Sequence, residues 1–120
     1  MMAKSELVSA QWHAEGFLEA RARPGVGPRA EVLAGFLQSD VQADLATARS
    51  LLDEIAAAER GDQPQPGGVG NAFSITITPG GAMIRNAVVE ETALQRYTLG
   101  ELRAALVTWI DAIECACRAG

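Results

Sequence analysis

The run Phe73-Ser74-Ile75-Thr76-Ile77-Thr78 alternates apolar and hydroxyl side chains without a break. An extended strand places every second side chain on the same face, so this run reads as a strand buried on one side and wet on the other. Pro79-Gly80-Gly81 follows it. Proline presets φ at the first central position of a turn, and the glycine after it accepts a positive φ at the second. The chain must then fold back, and residues 82–90, with Met83, Ile84, Val88 and Val89, read as the returning strand. After a polar connection, Thr98-Leu99-Gly100-Glu101 has the hydroxyl-to-carboxylate spacing of a capping box. Leu102, Leu106, Trp109 and Ile113 recur behind it on one helical face. Residues 73–113 are thus a hairpin followed by an amphipathic helix, the helix predicted over 98–118.

A unit of similar outline precedes it. Residues 1–10 read as a short helical start or a frayed end. Trp12, Ala14, Leu18, Ala20 and Ala22 share even positions, which predicts a strand over 11–23 with Gly16 and Phe17 as a bulge. Pro24-Gly25-Val26-Gly27-Pro28 breaks regular structure. The spacing of Val32, Leu33, Phe36 and Leu37 suits a helical turn as well as a strand; a strand over 30–37, paired back onto the first, is the reading adopted. Ser39 and Gln42 have capping-box spacing, and Val41, Leu45, Ala48, Leu52 and Ile55 form one face of a helix predicted over 39–60. Asp40 and Asp44 fall near its positive end, and Gly61 is placed to stop it. Residues 61–72, rich in Gly and Pro, read as a mobile loop.

The expected fold class is α+β: one domain over 1–120, in which two strand-strand-helix units form a mainly antiparallel four-stranded sheet with both helices on one face. The other sheet face carries Ser74, Thr76 and Thr78, either solvated or meeting a partner.

The net charge of −5, with acidic residues in excess in both halves, argues against direct nucleic-acid binding and favours a basic partner. Lys4 and Glu6 interrupt any secretory apolar region, and no run approaches the ~20 apolar residues of a membrane span. Cys115 and Cys117 point to nearly opposite sides of a helix, so reduced thiols in the cytoplasm are expected. His13 is the single histidine, and the two cysteines lack the further ligands of a zinc site. No catalytic residue, metal or cofactor is therefore expected, and the chain reads as a binding protein, not an enzyme. The carboxylates offer the one candidate surface. Asp40, Asp44, Asp53 and Glu54 lie on the first predicted helix, and Glu90 and Glu91 end the second hairpin. A solvated helix face is the plain explanation; an acidic surface that docks a basic cleft is the functional one.

The segments Gly70-Asn71-Ala72-Phe73-Ser74-Ile75-Thr76-Ile77, Ala82-Met83-Ile84-Arg85-Asn86-Ala87 and Tyr97-Thr98-Leu99-Gly100-Glu101-Leu102, with Trp109-Ile110, resemble the C-terminal half of the small YacL-like bacterial family. They also resemble small immunity proteins of polymorphic and contact-dependent toxin systems. Phe36-Leu37-Gln38-Ser39-Asp40-Val41 leading into a Leu-Leu-Asp-Glu helix is similar to the YacL-type arrangement, so the likeness spans about residues 30–113. The resemblance implies a cytoplasmic immunity role: binding a cognate toxin domain, often a nuclease, and blocking its active site. The alternative is a housekeeping or scaffold domain that self-associates weakly through its sheet edge, with no toxin partner.

Overall fold

Pro28 starts a helix where the sequence suggested a strand. The computed structural model describes residues 5–62, 68–69, 73–86 and 94–119, the side chains of 68–69 and 116–119 excepted. Its elements are β1 (Val8–Trp12), β2 (Leu18–Ala22), α1 (Pro28–Phe36), a π-helical turn (Leu37–Val41), α2 (Leu45–Glu59), β3 (Gly68–Val69), β4 (Phe73–Thr78), β5 (Gly81–Asn86), β6 (Gln95–Tyr97) and α3 (Leu99–Ala119). The α+β class and antiparallel pairing hold, but the single four-stranded sheet built from both units does not. β1 and β2 form a two-stranded sheet of their own, and the second sheet runs β3-β4-β5-β6, its first member a two-residue edge.

The division follows from α1. Proline lacks the N–H that a first helical turn leaves unpaired, and its φ suits that position, so Pro28 opens the helix as easily as it ends a turn. α1 packs against both hairpins, and Ala30, Val32, Leu33, Ala34 and Phe36 are all buried. A helix covered on several sides shows no single apolar stripe, which is why 30–37 carried no decisive period. The span 11–23 is likewise two strands, with Val8↔Ala22 and Trp12↔Leu18 in register and the chain reversing at 13–17. Gly16 belongs to that reversal, not to a bulge. Of the predicted helical or frayed start over 1–10, residues 8–10 are strand and 5–7 are not helical; residues 1–4 lie outside the described residues.

The first capping box is replaced by a π turn. Gln42 N–H donates to Leu37 O at 2.8 Å, and Gln42 has φ 55°, so its carbonyl turns inward to accept from Trp109 Nε1 at 2.5 Å. Its side-chain amide donates to Ser39 O. α2 therefore begins later than expected, behind Asp44, and ends at Gly61, which has φ 82°. Gly61 N donates to Ala58 O and Asp62 N to Ala57 O, the paired bonds of a Schellman stop. The buried stripe is Ala48, Leu51, Ile55 and Ala58, with Leu45 and Leu52 packed partly exposed at its margin. The second capping box forms as its spacing predicts: Glu101 N donates to Thr98 Oγ1 at 2.9 Å and Thr98 N to Glu101 Oε1 at 2.8 Å. Behind it Leu102, Leu106, Trp109 and Ile113 are buried.

α2 and α3 pack together, flanked by the ion pairs Arg49–Glu114 and Glu59–Arg103. Arg49 lies early on α2 and Glu114 late on α3, the reverse of the second pair, so the helices run antiparallel. In the second sheet Phe73, Ile77, Ala82, Ile84 and Tyr97 face the helices. Gly35 admits the Phe73 ring so closely that an added Cβ would lie 2.9 Å from its Cζ. The positive φ expected at Gly80 falls one residue later, at Gly81. Of the predicted loop over 61–72, Gly68 and Val69 pair with Ile75 and Ser74, so that part is strand; 63–67 and 70–72 lie outside the described residues.

Candidate partner-binding surface

The acidic residues separate by what the fold asks of them. Asp40, half-buried in the π turn, accepts Phe73 N–H at 3.0 Å and so ties the start of β4 to the first half of the chain. Asp44 is the N-cap of α2: Oδ1 accepts from Ala46 N and Thr47 N, and Oδ2 from the Thr47 hydroxyl. The Thr47 hydroxyl foremost, with the backbone amides, holds the Asp44 carboxyl below its usual range. Asp53 is exposed and Glu54 half-exposed on α2, and neither is engaged by another described residue. Asp53 falls opposite the Ala48–Ile55 side of the helix, directed to solvent. Glu90 and Glu91 lie outside the described residues. Of the predicted surface, the structure thus joins Asp53 and Glu54 on one helix and assigns Asp40 and Asp44 internal duties.

Two polar clusters are assembled by the fold, and the sequence showed only part of one of them. At the junction of α1, β6 and α3, Arg29 Nη2 meets Glu101 Oε1 at 2.5 Å and Arg29 Nε donates to Arg96 O at 3.0 Å. The same guanidinium lies 5.2 Å from the Tyr97 ring centroid, and Tyr97 O–H donates to Arg29 O at 2.6 Å. Burial raises the Tyr97 pKa strongly, only partly opposed by Arg29. Burial also acts to raise Glu101, but the Thr98 amide and Arg29 outweigh it and the carboxyl sits below its usual range. Only the Thr98–Glu101 half had a sequence signal; Arg29 is brought in across 72 positions. At the first hairpin, His13 Nε2 and Arg21 Nε both meet Glu19 Oε1 at 2.7 Å, and Phe17 stacks on His13 with ring centroids 4.3 Å apart. The hydrogen bond from His13, then that from Arg21, lowers Glu19. These contacts hold the end of the hairpin together.

The sheet face away from the helices carries Ser74, Thr76, Thr78, Met83, Arg85 and Arg96, all half or fully exposed. Cys115 is a free, exposed thiol. Among the described residues no group of three or more His, Cys, Asp or Glu is placed to hold a metal, and no helix is long and apolar enough to cross a membrane. Among the described residues the fold is α+β, with three α-helices, one π-helical turn and two antiparallel sheets. Comparison with known protein families, curated proteins and solved structures finds no match to this chain.

Proposed function

We propose that this protein is an immunity protein of the cytoplasm that binds a basic, nuclease-type toxin domain and blocks its active site. The observation that carries the reading is the pair Asp53 and Glu54, carboxylates that no other described residue engages, on a helix otherwise tied into the core. Carboxylates presented on a rigid helix can occupy a cleft shaped for phosphates, taking the place of the substrate's negative charge. The net charge of −5 supports steering towards such a cleft. The likeness of the hairpin and closing helix to small immunity proteins supports the biological role. Asp40 and Asp44 would contribute field; Glu90 and Glu91 lie outside the described residues.

The test is co-expression with a toxin domain encoded directly beside this chain, followed by titration of the purified pair. Protection of growth is expected, together with association that slows as salt is raised. Asp53→Lys with Glu54→Lys should slow association and reduce protection, whereas Glu31→Lys on α1 should leave both nearly unchanged. Failure to protect would reject the immunity role. Binding indifferent to salt and to the α2 substitutions would reject the acidic mechanism.

A further inference from the structure

We infer that the outer face of the second sheet docks the acidic side of α2 of a second copy, joining chains head to tail. The alternation that turns Phe73, Ile77, Ala82, Ile84 and Tyr97 towards the helices turns Arg85 and Arg96 outwards. Met83 lies opposite Arg96, and Arg85 stands two residues along from Met83. The two guanidinium arms therefore rise from neighbouring strands, at positions roughly 7–8 Å apart. Around them lie Ser74, Thr76, Thr78 and Met83, all half-exposed, and no carboxylate among the described residues of this face.

These two arginines differ from the rest. Every other arginine with a described side chain is held: Arg21 by Glu19, Arg29 by Glu101, Arg49 by Glu114, Arg60 by Asp62 and Arg103 by Glu59, with Arg23 on the backbone oxygen of Ser5. Arg85 and Arg96 are exposed, and no described residue engages either guanidinium. In a chain of charge −5, the fold leaves its cations uncompensated on this one face. A guanidinium grips a carboxylate through two parallel N–H···O bonds, so carboxylates are the occupants that suit it. Nucleic acid is a poorer match. The described face has no aromatic ring on which a base could stack, and a pair of cations neutralises few phosphates.

α2 carries the complement. Asp53 and Glu54 adjoin in sequence, and no described residue engages them. Ala46, Ser50, Asp53 and Ala57 share one side of the helix, opposite the buried stripe, and their short side chains let that side lie close on a flat sheet. Arg49 and Arg60, the cations at either end of this side, already hold carboxylates. The two patches point apart within one chain. α2 packs on β4 from the inner side of the sheet, and the arginines stand on the outer side. A second copy brings them together. Because the two surfaces differ, the contact is heterologous and repeats from chain to chain. The inference does not rest on the toxin reading, but both use Asp53 and Glu54, so a toxin and a second copy would exclude one another.

The experiment is sedimentation equilibrium of the full chain alone, from micromolar to millimolar concentration at low and high salt. A mass that climbs past that of a dimer is expected, and salt should weaken the association because opposite charges hold the contact. Arg85→Gln with Arg96→Gln, or Asp53→Asn with Glu54→Gln, should each weaken it by about tenfold or more. None of the four side chains is buried, so urea midpoints should stay near wild type. The two variants mixed should form a one-to-one dimer and grow no further, since each keeps the surface that the other lacks. A wild-type chain that stays monomeric or stops at a dimer, an association that survives either pair of substitutions, or a mixture that does not recover the dimer would overturn the inference. So would a monomeric wild type that binds polyglutamate or a single-stranded oligonucleotide through Arg85 and Arg96, which would reassign the face to a foreign acidic protein or to nucleic acid.

Discussion

Replacing Gly81 by alanine should be among the most costly single-methyl changes in this protein. Gly81 opens β5 with φ 140°, a conformation L-residues rarely adopt, and an added Cβ would lie 2.8 Å from Tyr97 O. That oxygen is backbone and has little freedom to move: the Tyr97 hydroxyl is bonded to Arg29 O, and the Arg29 guanidinium lies over the ring. Backbone strain of this kind costs about 1–3 kcal/mol, and forcing a methyl group into packed structure costs about as much again. A total of ~2–6 kcal/mol corresponds to a fall in Tm of roughly 10–25 °C for a chain of this size. Gly80 is the internal control. Its added Cβ would meet only Thr78 Oγ1, at an ordinary 3.7 Å, and its φ is not positive. Gly80→Ala should therefore be neutral or mildly stabilising, by up to ~1 kcal/mol, through the entropy of the unfolded chain. Urea denaturation of both variants beside wild type gives the comparison. A Gly81→Ala midpoint within about 0.5 kcal/mol of wild type, the scale of an ordinary surface change, would refute the reasoning, as would equal losses in the two variants.

Leu106→Ala should cost ~2–5 kcal/mol in the same assay, and Leu52→Ala distinctly less, because Leu106 is fully buried and Leu52 only partly. Asp44→Ala removes the cap of α2 and should lower the urea midpoint, with Asp44→Ser recovering most of the loss. The folded pKa values of Glu101, Asp44 and Glu19 lie below their unfolded values, so the stability they contribute is present above about pH 4 and lost as pH falls through the folded values. Tyr97 has the opposite sign: its folded pKa is raised, so its contribution is present below about pH 10 and declines as pH rises beyond it. Urea midpoints against pH should show both flanks, with Glu101→Gln reducing the acid one and Tyr97→Phe the alkaline one.

The sequence by itself determined the elements whose causes are local. The alternation of 73–78, the Thr98–Glu101 capping box, the apolar stripe of α3 and the stop at Gly61 depend on residues within a few positions of one another, and each forms as predicted. Tertiary structure decided the elements whose causes are distant. Residues 28–36 are helix because two hairpins enclose them, a burial that erases the period by which a helix is recognised. The Ser39–Gln42 capping box yields to a π turn that carries the Gln42 carbonyl to Trp109 and the Asp40 carboxylate to Phe73 N. Partners 67 and 33 positions away leave no spacing to read. The acidic surface divides in the same way. Charge sign and helix membership are written in the chain, but which carboxylates remain available depends on which backbone amides the fold leaves in need of an acceptor, and only the packed structure sets that demand.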